Sequence, residues 1–226
     1  MMRSLPGFHA IILDMDGLVL DSEPAYCHAW RRAAADVGVE LSEGVCESLF
    51  GQHADAVVSA LAGVLGPAFE RERFFESAER HWLETLKQQG MPRMPGIEAL
   101  LALLQQRHVP FALATNSDGP YARQCLALAG LLEAFPVIVT RDQVGSGKPE
   151  PDLFVEAARR LDVSPLRCLV LEDSETGLKA ARAAGALPIL IQQRDAMRDK
   201  LGPLARMALP SLIQFTELLT KPGGPM

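Results

Sequence analysis

The sequence predicts an α/β fold, a doubly wound parallel sheet with an inserted α-helical domain. Three observations predict this class. Short apolar runs rich in Val, Ile and Leu have the composition of buried strands. From the second run onward they alternate with amphipathic helical segments, as in a parallel sheet covered on both faces. The first two runs are separated by 95 residues that show helical patterns and no strand-like run.

Five segments have the strand pattern, and the helical segments of the core follow from the second one onward. The predicted strands are 9–13, 109–114, 137–140, 168–171 and 187–191. The predicted helices are 95–107, 119–131, 151–161 and 175–184. Each helix opens at Pro, Ser or Asp and several close at Gly, residues that favour helix starts and ends.

The long interval after the first strand contains helical patterns near 23–37, 43–50, 54–65 and 68–89, with glycines at their edges. We therefore expect residues 19–90 to form a helical domain. Residues 1–18 and 91–226 then form the sheet-and-helix core.

Composition excludes several classes of protein. The 226 residues carry a net charge of −6, with 48% apolar and 22% charged side chains, which argues against a disordered chain and a nucleic-acid partner. No apolar stretch approaches the roughly 20 residues of a membrane helix. The four cysteines are far apart and form no C-x-x-C pair, as expected in a reducing cytoplasm. We expect a cytoplasmic protein with a small-molecule partner, no nucleic acid and no membrane, and a monomer with a dimer as the alternative.

Polar side chains follow the predicted strands, at the edge where open parallel sheets bind ligands. They comprise four acids, a hydroxyl, a carboxamide and an ammonium. These are Asp14 and Asp16 after the first strand, Thr115 and Asn116 after the second, Lys148 in the loop after the third, and Glu172 and Asp173 after the fourth.

This combination of groups suits phosphoryl transfer. Clustered carboxylates need a cation among them, and oxygen ligands of this kind favour Mg²⁺. An Asp can attack phosphorus to form an aspartyl-phosphate, and a second carboxylate can supply and remove protons. Each motif alone has a plainer interpretation: a polar turn, a helix cap or a surface lysine. Their order along predicted strand ends favours the chemical interpretation.

Four motifs carry a resemblance to a known family: Asp14-Met15-Asp16-Gly17, Ala114-Thr115-Asn116-Ser117, Gly147-Lys148-Pro149 and Leu171-Glu172-Asp173-Ser174. Together they resemble the haloacid dehalogenase superfamily phosphohydrolases that carry a helical cap after the first strand. The resemblance covers nearly the whole chain. It implies an Mg²⁺-dependent phosphatase of small metabolites, such as sugar phosphates or phosphoglycolate.

The resemblance also implies residue roles. Asp14 would be the nucleophile and Asp16 the general acid and base. Thr115 and Lys148 would hold the transferred phosphoryl group, with Asn116 close by as a substrate-binding residue. The metal ligands would be the side chains of Asp14 and Asp173 and the Asp16 carbonyl, with Glu172 supporting them or coordinating through water.

Two other functions remain open. A phosphomutase of the β-phosphoglucomutase type resembles this core, but its pattern has a cap His where Tyr26 stands here and an Arg in a cap loop that here reads Gln52-His53. Gln52 and His53 are instead candidates to face the substrate. A non-catalytic phospho-acceptor would share the Asp, Thr and Lys, yet such domains carry no insert of this size.

Overall fold

The computed structural model describes residues 7–49 and 54–221. Six parallel strands form one sheet in the order β3-β2-β1-β4-β5-β6. The strands are β1 (Ala10–Leu13), β2 (Phe111–Ala114), β3 (Ile138–Val139), β4 (Cys168–Glu172), β5 (Leu187–Ile191) and β6 (Met207–Leu209). The chain runs outward from β1 to β3, returns to β4 and runs outward again. The predicted doubly wound parallel sheet is therefore confirmed.

The register of the three central strands aligns their carboxyl ends. Leu13 of β1 pairs with Leu113 of β2 on one side and with Leu171 of β4 on the other. The order of the strands reverses between β1 and β4, which is the point of an open sheet where ligands bind. Residues that follow Leu13 and its two partners thus meet at one edge.

Six helices accompany the sheet: α5 (Ile97–Gln106), α6 (Gly119–Leu128), α7 (Asp152–Arg160), α8 (Glu175–Ala183), α9 (Asp195–Leu201) and α10 (Leu212–Thr220). On one face Ile12 and Val170 pack in a cluster with Phe154 of α7. Neighbouring strand residues point to opposite faces, and Ile11 and Leu13 are also fully buried. Both faces of the sheet are therefore covered.

The end of the sheet was not predicted. The last predicted strand corresponds to β5, whereas the chain continues with α9, β6 and α10. Strand β6 has only three residues and lies at the sheet edge, with Met207 and Ala208 half-buried. A three-residue strand that is half-buried carries neither a long apolar run nor an alternating pattern, so sequence periodicity does not detect it.

A second compact unit spans Asp21–Pro92 and contains α1 (Glu23–Asp36), α2 (Glu43–Leu49), α3 (Ala54–Leu65) and α4 (Arg71–Gln89). The boundary prediction of 19–90 differs by two residues at each end. Val19 and Leu20 are fully buried, and Leu20 forms single bridges with Asp16 and Arg93. These contacts assign both residues to the sheet unit.

The helical unit has its own core, in which α1 packs along α4. Tyr26 lies between two tryptophan rings, with centroid distances of 5.8 Å to Trp30 and 6.0 Å to Trp82. Among the described residues no helix combines the length and apolar character that a membrane crossing requires.

Candidate active site

The predicted catalytic side chains stand at the carboxyl edge of the sheet. Asp14 follows β1, and its N–H donates to the Leu171 carbonyl of β4 at 3.1 Å. Thr115 follows β2, and its N–H donates to the Val139 carbonyl of β3 at 3.0 Å. Glu172 is the last residue of β4. Backbone pairing within the sheet thus fixes the backbone positions of Asp14, Thr115 and Glu172.

The Lys148 ammonium binds acceptors from three segments at this edge of the sheet. The Nζ atom contacts Asp14 Oδ1 and donates to Glu172 Oε1 at 2.6 Å and to the Ala114 carbonyl at 3.0 Å. An ammonium has three hydrogens, so these three acceptors use all of them. The ring of Phe154 lies beneath, 4.9 Å from Nζ to its centroid. The Lys148 side chain is only 3% exposed, so the charge is held almost entirely by protein groups.

Burial and charge shift the pKa values of this pair. Burial and the negative charge of Glu172 raise the pKa of Asp14 from 3.8 to about 7, although Lys148 opposes the shift. Burial lowers the pKa of Lys148, but the charges of Asp14 and Glu172 outweigh it and raise that pKa above its usual value. The lysine therefore stays charged, and a further cation close to Asp14 would lower the pKa of its carboxyl again.

Glu172 is fully buried and bound on both oxygens. Its Oε1 accepts from Lys148, and its Oε2 accepts from the Ser174 hydroxyl at 2.9 Å and from the N–H groups of Asp173 and Ser174 at 3.2 and 3.3 Å. A carboxylate at the start of α8 is stabilised by the helix dipole. A Cβ on Gly177 would overlap this carboxylate, so only glycine leaves room for Glu172 beneath the first turn.

Three carboxylates form a group that fits a metal ion. Asp14, Glu172 and Asp173 each offer an oxygen, and these oxygens lie within 4.8 Å of one another. Gly17, with φ +79°, provides the space for Asp173, because a Cβ there would overlap its carboxylate. One ammonium among three clustered carboxylates leaves negative charge uncompensated, and hard oxygen donors favour Mg²⁺. The donor set thus fits the predicted metal.

Asp16 and Thr115 are linked through Ser117. The Ser117 hydroxyl donates to Asp16 Oδ2 at 3.1 Å, and the Ser117 N–H donates to Thr115 Oγ1 at 3.0 Å. A hydroxyl that accepts one bond still carries a hydrogen that it can donate. Asp16 is half-buried and Thr115 is 2% exposed. Ser117 therefore orients both side chains.

The remaining predicted residues fall in two places. Asn116 is exposed, and its carboxamide is hydrogen-bonded to the backbone of Lys148. Gln52 and His53 lie outside the described residues, and their contact with substrate stays a prediction.

Several supporting residues were not predicted from the sequence: Ser117 on Asp16, Phe154 under Lys148, Gly177 beside Glu172, and Gln192, whose Nε2 donates to the Asp173 carbonyl at 3.4 Å. Ser117 lies inside a motif that was examined and could have been included. The other three are apolar, small or distant residues with no local pattern that indicates a site.

Known proteins resemble this chain in sequence and fold. A family model described as haloacid dehalogenase-like hydrolase matches residues 8–185. A phosphorylated carbohydrates phosphatase of Thermotoga maritima is 33% identical over 180 residues, covering 78% of this chain and 81% of that protein. A β-phosphoglucomutase of Bacillus subtilis is 28% identical over 198 residues, covering 83% and 85%. A HAD family hydrolase of Deinococcus radiodurans R1, solved with bound phosphate and sodium, has a TM-score of 0.77 and 30% identity and covers 93% of this chain and 94% of its own.

Proposed function

Because the chain belongs to the haloacid dehalogenase-like hydrolases, we propose that it is an Mg²⁺-dependent phosphatase of small phosphorylated metabolites. The observation that carries the proposal is the buried Lys148 ammonium bonded to Asp14 and Glu172, two of the three carboxylates that group with Asp173. A nucleophile, a proton-transfer group, phosphoryl ligands and metal ligands are then all supplied by one sheet edge.

In the first step the Asp14 carboxylate attacks phosphorus, and the bond from phosphorus to the substrate oxygen breaks. The product is an aspartyl-phosphate on Asp14. Asp16 gives its proton to the departing oxygen. Its Oδ2 accepts from Ser117, so the Asp16 carboxyl has a fixed orientation for this transfer.

In the second step Asp16, now ionised, takes a proton from a water molecule whose oxygen attacks phosphorus. The bond between Asp14 and phosphorus breaks, inorganic phosphate leaves, and both carboxyl groups return to their starting state. Thr115 donates its hydroxyl hydrogen to a phosphoryl oxygen through both steps.

Lys148 exchanges one partner during the reaction. In the structure its three hydrogens are used by Asp14, Glu172 and Ala114. Once Asp14 becomes an acyl phosphate it has lost its negative charge, whereas the phosphoryl oxygens carry charge. The ammonium then transfers its hydrogen bond from Asp14 to a phosphoryl oxygen and keeps its bonds to Glu172 and Ala114.

Mg²⁺ would be held by the side chains of Asp14 and Asp173 and the Asp16 carbonyl, with Glu172 supporting them. When bound, it supplies positive charge that keeps Asp14 ionised and offsets the phosphoryl charge. The second carboxylate oxygen of Glu172 is already held by the start of α8.

The relatives indicate which substrate class to test first. The Thermotoga maritima relative is named for phosphorylated carbohydrates, and a sugar phosphate is therefore the first class to test, with phosphoglycolate as the second. Gln52 and His53, the residues that we propose to face the substrate body, lie outside the described residues.

Phosphate release from a panel of phosphorylated metabolites tests the proposal. We expect release from at least one sugar phosphate with Mg²⁺, loss of activity with EDTA, and recovery when Mg²⁺ is added back. Asp14→Asn should be inactive while circular dichroism shows it folded. A folded wild-type protein that releases no phosphate from any member of the panel would contradict the proposal.

The mutase alternative is tested in the same assays. The residue at the position of the mutase His is Tyr26, whose ring is packed between Trp30 and Trp82. A phenol in that packing is not a group that shuttles protons near neutral pH. Glucose 1-phosphate with a hexose bisphosphate should therefore yield free phosphate faster than the isomer, and the reverse ratio would favour the mutase.

A further inference from the structure

The side chain of Asn116 holds the backbone of Lys148 by two hydrogen bonds. The Lys148 N–H donates to Asn116 Oδ1 at 2.8 Å, and Asn116 Nδ2 donates to the Lys148 carbonyl at 3.2 Å. The opposite orientation of the carboxamide would set donor against donor and acceptor against acceptor, so the pair of contacts fixes it. The contact joins the loop after β2 to the loop after β3.

Gly147 provides the space for this contact. A Cβ on Gly147 would overlap Asn116 Oδ1 and would lie 2.7 Å from Arg141 Cδ. The Arg141 guanidinium donates to the carbonyls of Val144 at 3.0 Å and Gly145 at 3.2 Å. Hydrogen bonds from Arg141 and Asn116 thus hold the backbone on both sides of Gly147, up to Lys148.

We propose that Asn116 is a positioning residue for Lys148, a role that rests on the phosphatase function proposed above. A lysine side chain is long and flexible, so the position of its ammonium depends on where the backbone anchors it. The ammonium must keep its bond to Glu172 while it exchanges Asp14 for a phosphoryl oxygen. Asn116 fixes the backbone position from which the Lys148 side chain extends.

Direct contact with substrate is the competing role. Asn116 is exposed and has a second N–H that a substrate oxygen could accept from. The two roles differ in one respect: a positioning residue acts only through Lys148, whereas a substrate ligand acts whether or not Lys148 is present.

A double-mutant cycle with Asn116→Ala and Lys148→Met separates them, with p-nitrophenyl phosphate and Mg²⁺ as the probe. If Asn116 acts through Lys148, Asn116→Ala lowers kcat/KM by about 10- to 100-fold in the wild-type background and by less than about twofold in the Lys148→Met background. An equal loss in both backgrounds, or no loss in either, would overturn the proposal.

Asp118→Ala is the matched control. Asp118 lies two residues beyond Asn116 in the same loop, and its carboxylate accepts from the Tyr121 N–H at 2.9 Å as the cap of α6. Loosening of the loop alone should change kcat/KM by the same small factor in both Lys148 backgrounds. A control that reproduced the cycle of Asn116→Ala would attribute the effect to the loop and would overturn the proposal.

A spectroscopic measurement decides between the two roles without measuring turnover. It needs no Lys148→Met variant, so it also applies if that variant does not fold. Asn116 is the only asparagine among the 226 residues, so selective ¹⁵N-asparagine labelling gives one side-chain amide signal pair. We expect the hydrogen of that pair that is bonded to the Lys148 carbonyl to be protected from exchange in the ligand-free protein and equally protected with Mg²⁺ and inorganic phosphate. Protection that appears only when phosphate is added would overturn the positioning role.

The two proposals fail in distinguishable ways. A wild-type protein with no phosphatase activity contradicts the proposed function, while the protection of the amide signals still decides whether Asn116 holds Lys148. A fully active wild-type protein with an additive cycle contradicts only the positioning role.

Discussion

Two aspartates, one in each unit of the molecule, have pKa shifts of opposite direction. Asp14 at the sheet edge is buried, and burial with the charge of Glu172 raises its pKa to about 7. Asp36 ends α1 of the helical unit, where hydrogen bonds from Ser77 at 2.5 Å and His81 at 2.8 Å lower its pKa. The carboxyl of Asp14 is therefore shifted toward its neutral form, whereas the carboxyl of Asp36 is stabilised as an ion.

The opposite pKa shifts indicate different roles: Asp14 belongs to the candidate active site, whereas Asp36 connects two helices. The Asp36 side chain is 43% exposed, so its charge keeps much of its hydration and its contacts join α1 to α4 at little cost. The Asp14 side chain is 11% exposed and shares its site with Glu172 and Lys148. Buried charge clusters with shifted pKa values of this kind are concentrated in active sites.

The largest expected effect contrasts Asp14→Asn with Asp36→Asn. Loss of the proposed nucleophile should lower kcat by at least about 10³-fold, because no other group in the proposed mechanism forms the acyl phosphate. Asp36→Asn should leave kcat/KM within about twofold, since its contacts lie among helices. Phosphate release at saturating sugar phosphate measures both. An inactive Asp36→Asn enzyme that is folded would remove the distinction between the two units.

Two helix glycines give the next contrast, measured as the free energy of unfolding in urea. Gly177→Ala should cost about 1–3 kcal/mol, because the new methyl overlaps the buried Glu172 carboxylate. Gly63→Ala in α3 should stabilise by about 0.5–1 kcal/mol, because a Cβ there has no described atom within 4 Å and alanine favours the helix. Similar values for the two variants would show that Gly177 does not make room for Glu172.

The pH dependence of metal-free stability should follow Asp14. Folding raises its pKa from the ordinary 3.8 to about 7, so the folded state keeps a proton that the unfolded state releases between these values. Stability that is present below pH 3.8 is then lost as the pH rises through 7. In EDTA, the Tm of the wild type should fall relative to Asp14→Asn over that range.

Mg²⁺ should reverse this loss. The metal binds the ionised carboxylate, so its stabilising effect should be larger at pH 8 than at pH 5. A Tm increase that is equal at the two pH values, or that persists in Asp14→Asn, would argue against Asp14 as a ligand.

The smallest effect concerns Asp36. Its folded pKa lies below 3.8, so it contributes stability above pH 3.8 that is lost as the pH falls below that value. Because the side chain is exposed, Asp36→Asn should cost less than about 1 kcal/mol at neutral pH. The difference in Tm between Asp36→Asn and the wild type should disappear in acid. A difference that grows in acid would mean that folding raises the pKa of Asp36 instead of lowering it.

Sequence alone predicted the strands that carry the site because buried parallel strands are short apolar runs and their ends carry the polar motifs. Asp14, Thr115 and Glu172 were placed correctly at strand ends for this reason. Strand β6 was missed because three residues, of which only Leu209 is buried, show no periodicity. The partnership of Lys148 with Phe154 and the need for glycine at 177 depend on tertiary contacts, which a local pattern does not contain.

The central claim is that the buried Asp14 becomes phosphorylated. Rapid acid quenching of a single turnover with Mg²⁺ and an active sugar phosphate, followed by peptide mass spectrometry, tests it directly. The account predicts one phosphoryl group on Asp14 that appears before free phosphate and then disappears, and none in Asp14→Asn. Turnover with no phosphorylated Asp14, or with the phosphoryl group on another residue, would contradict it.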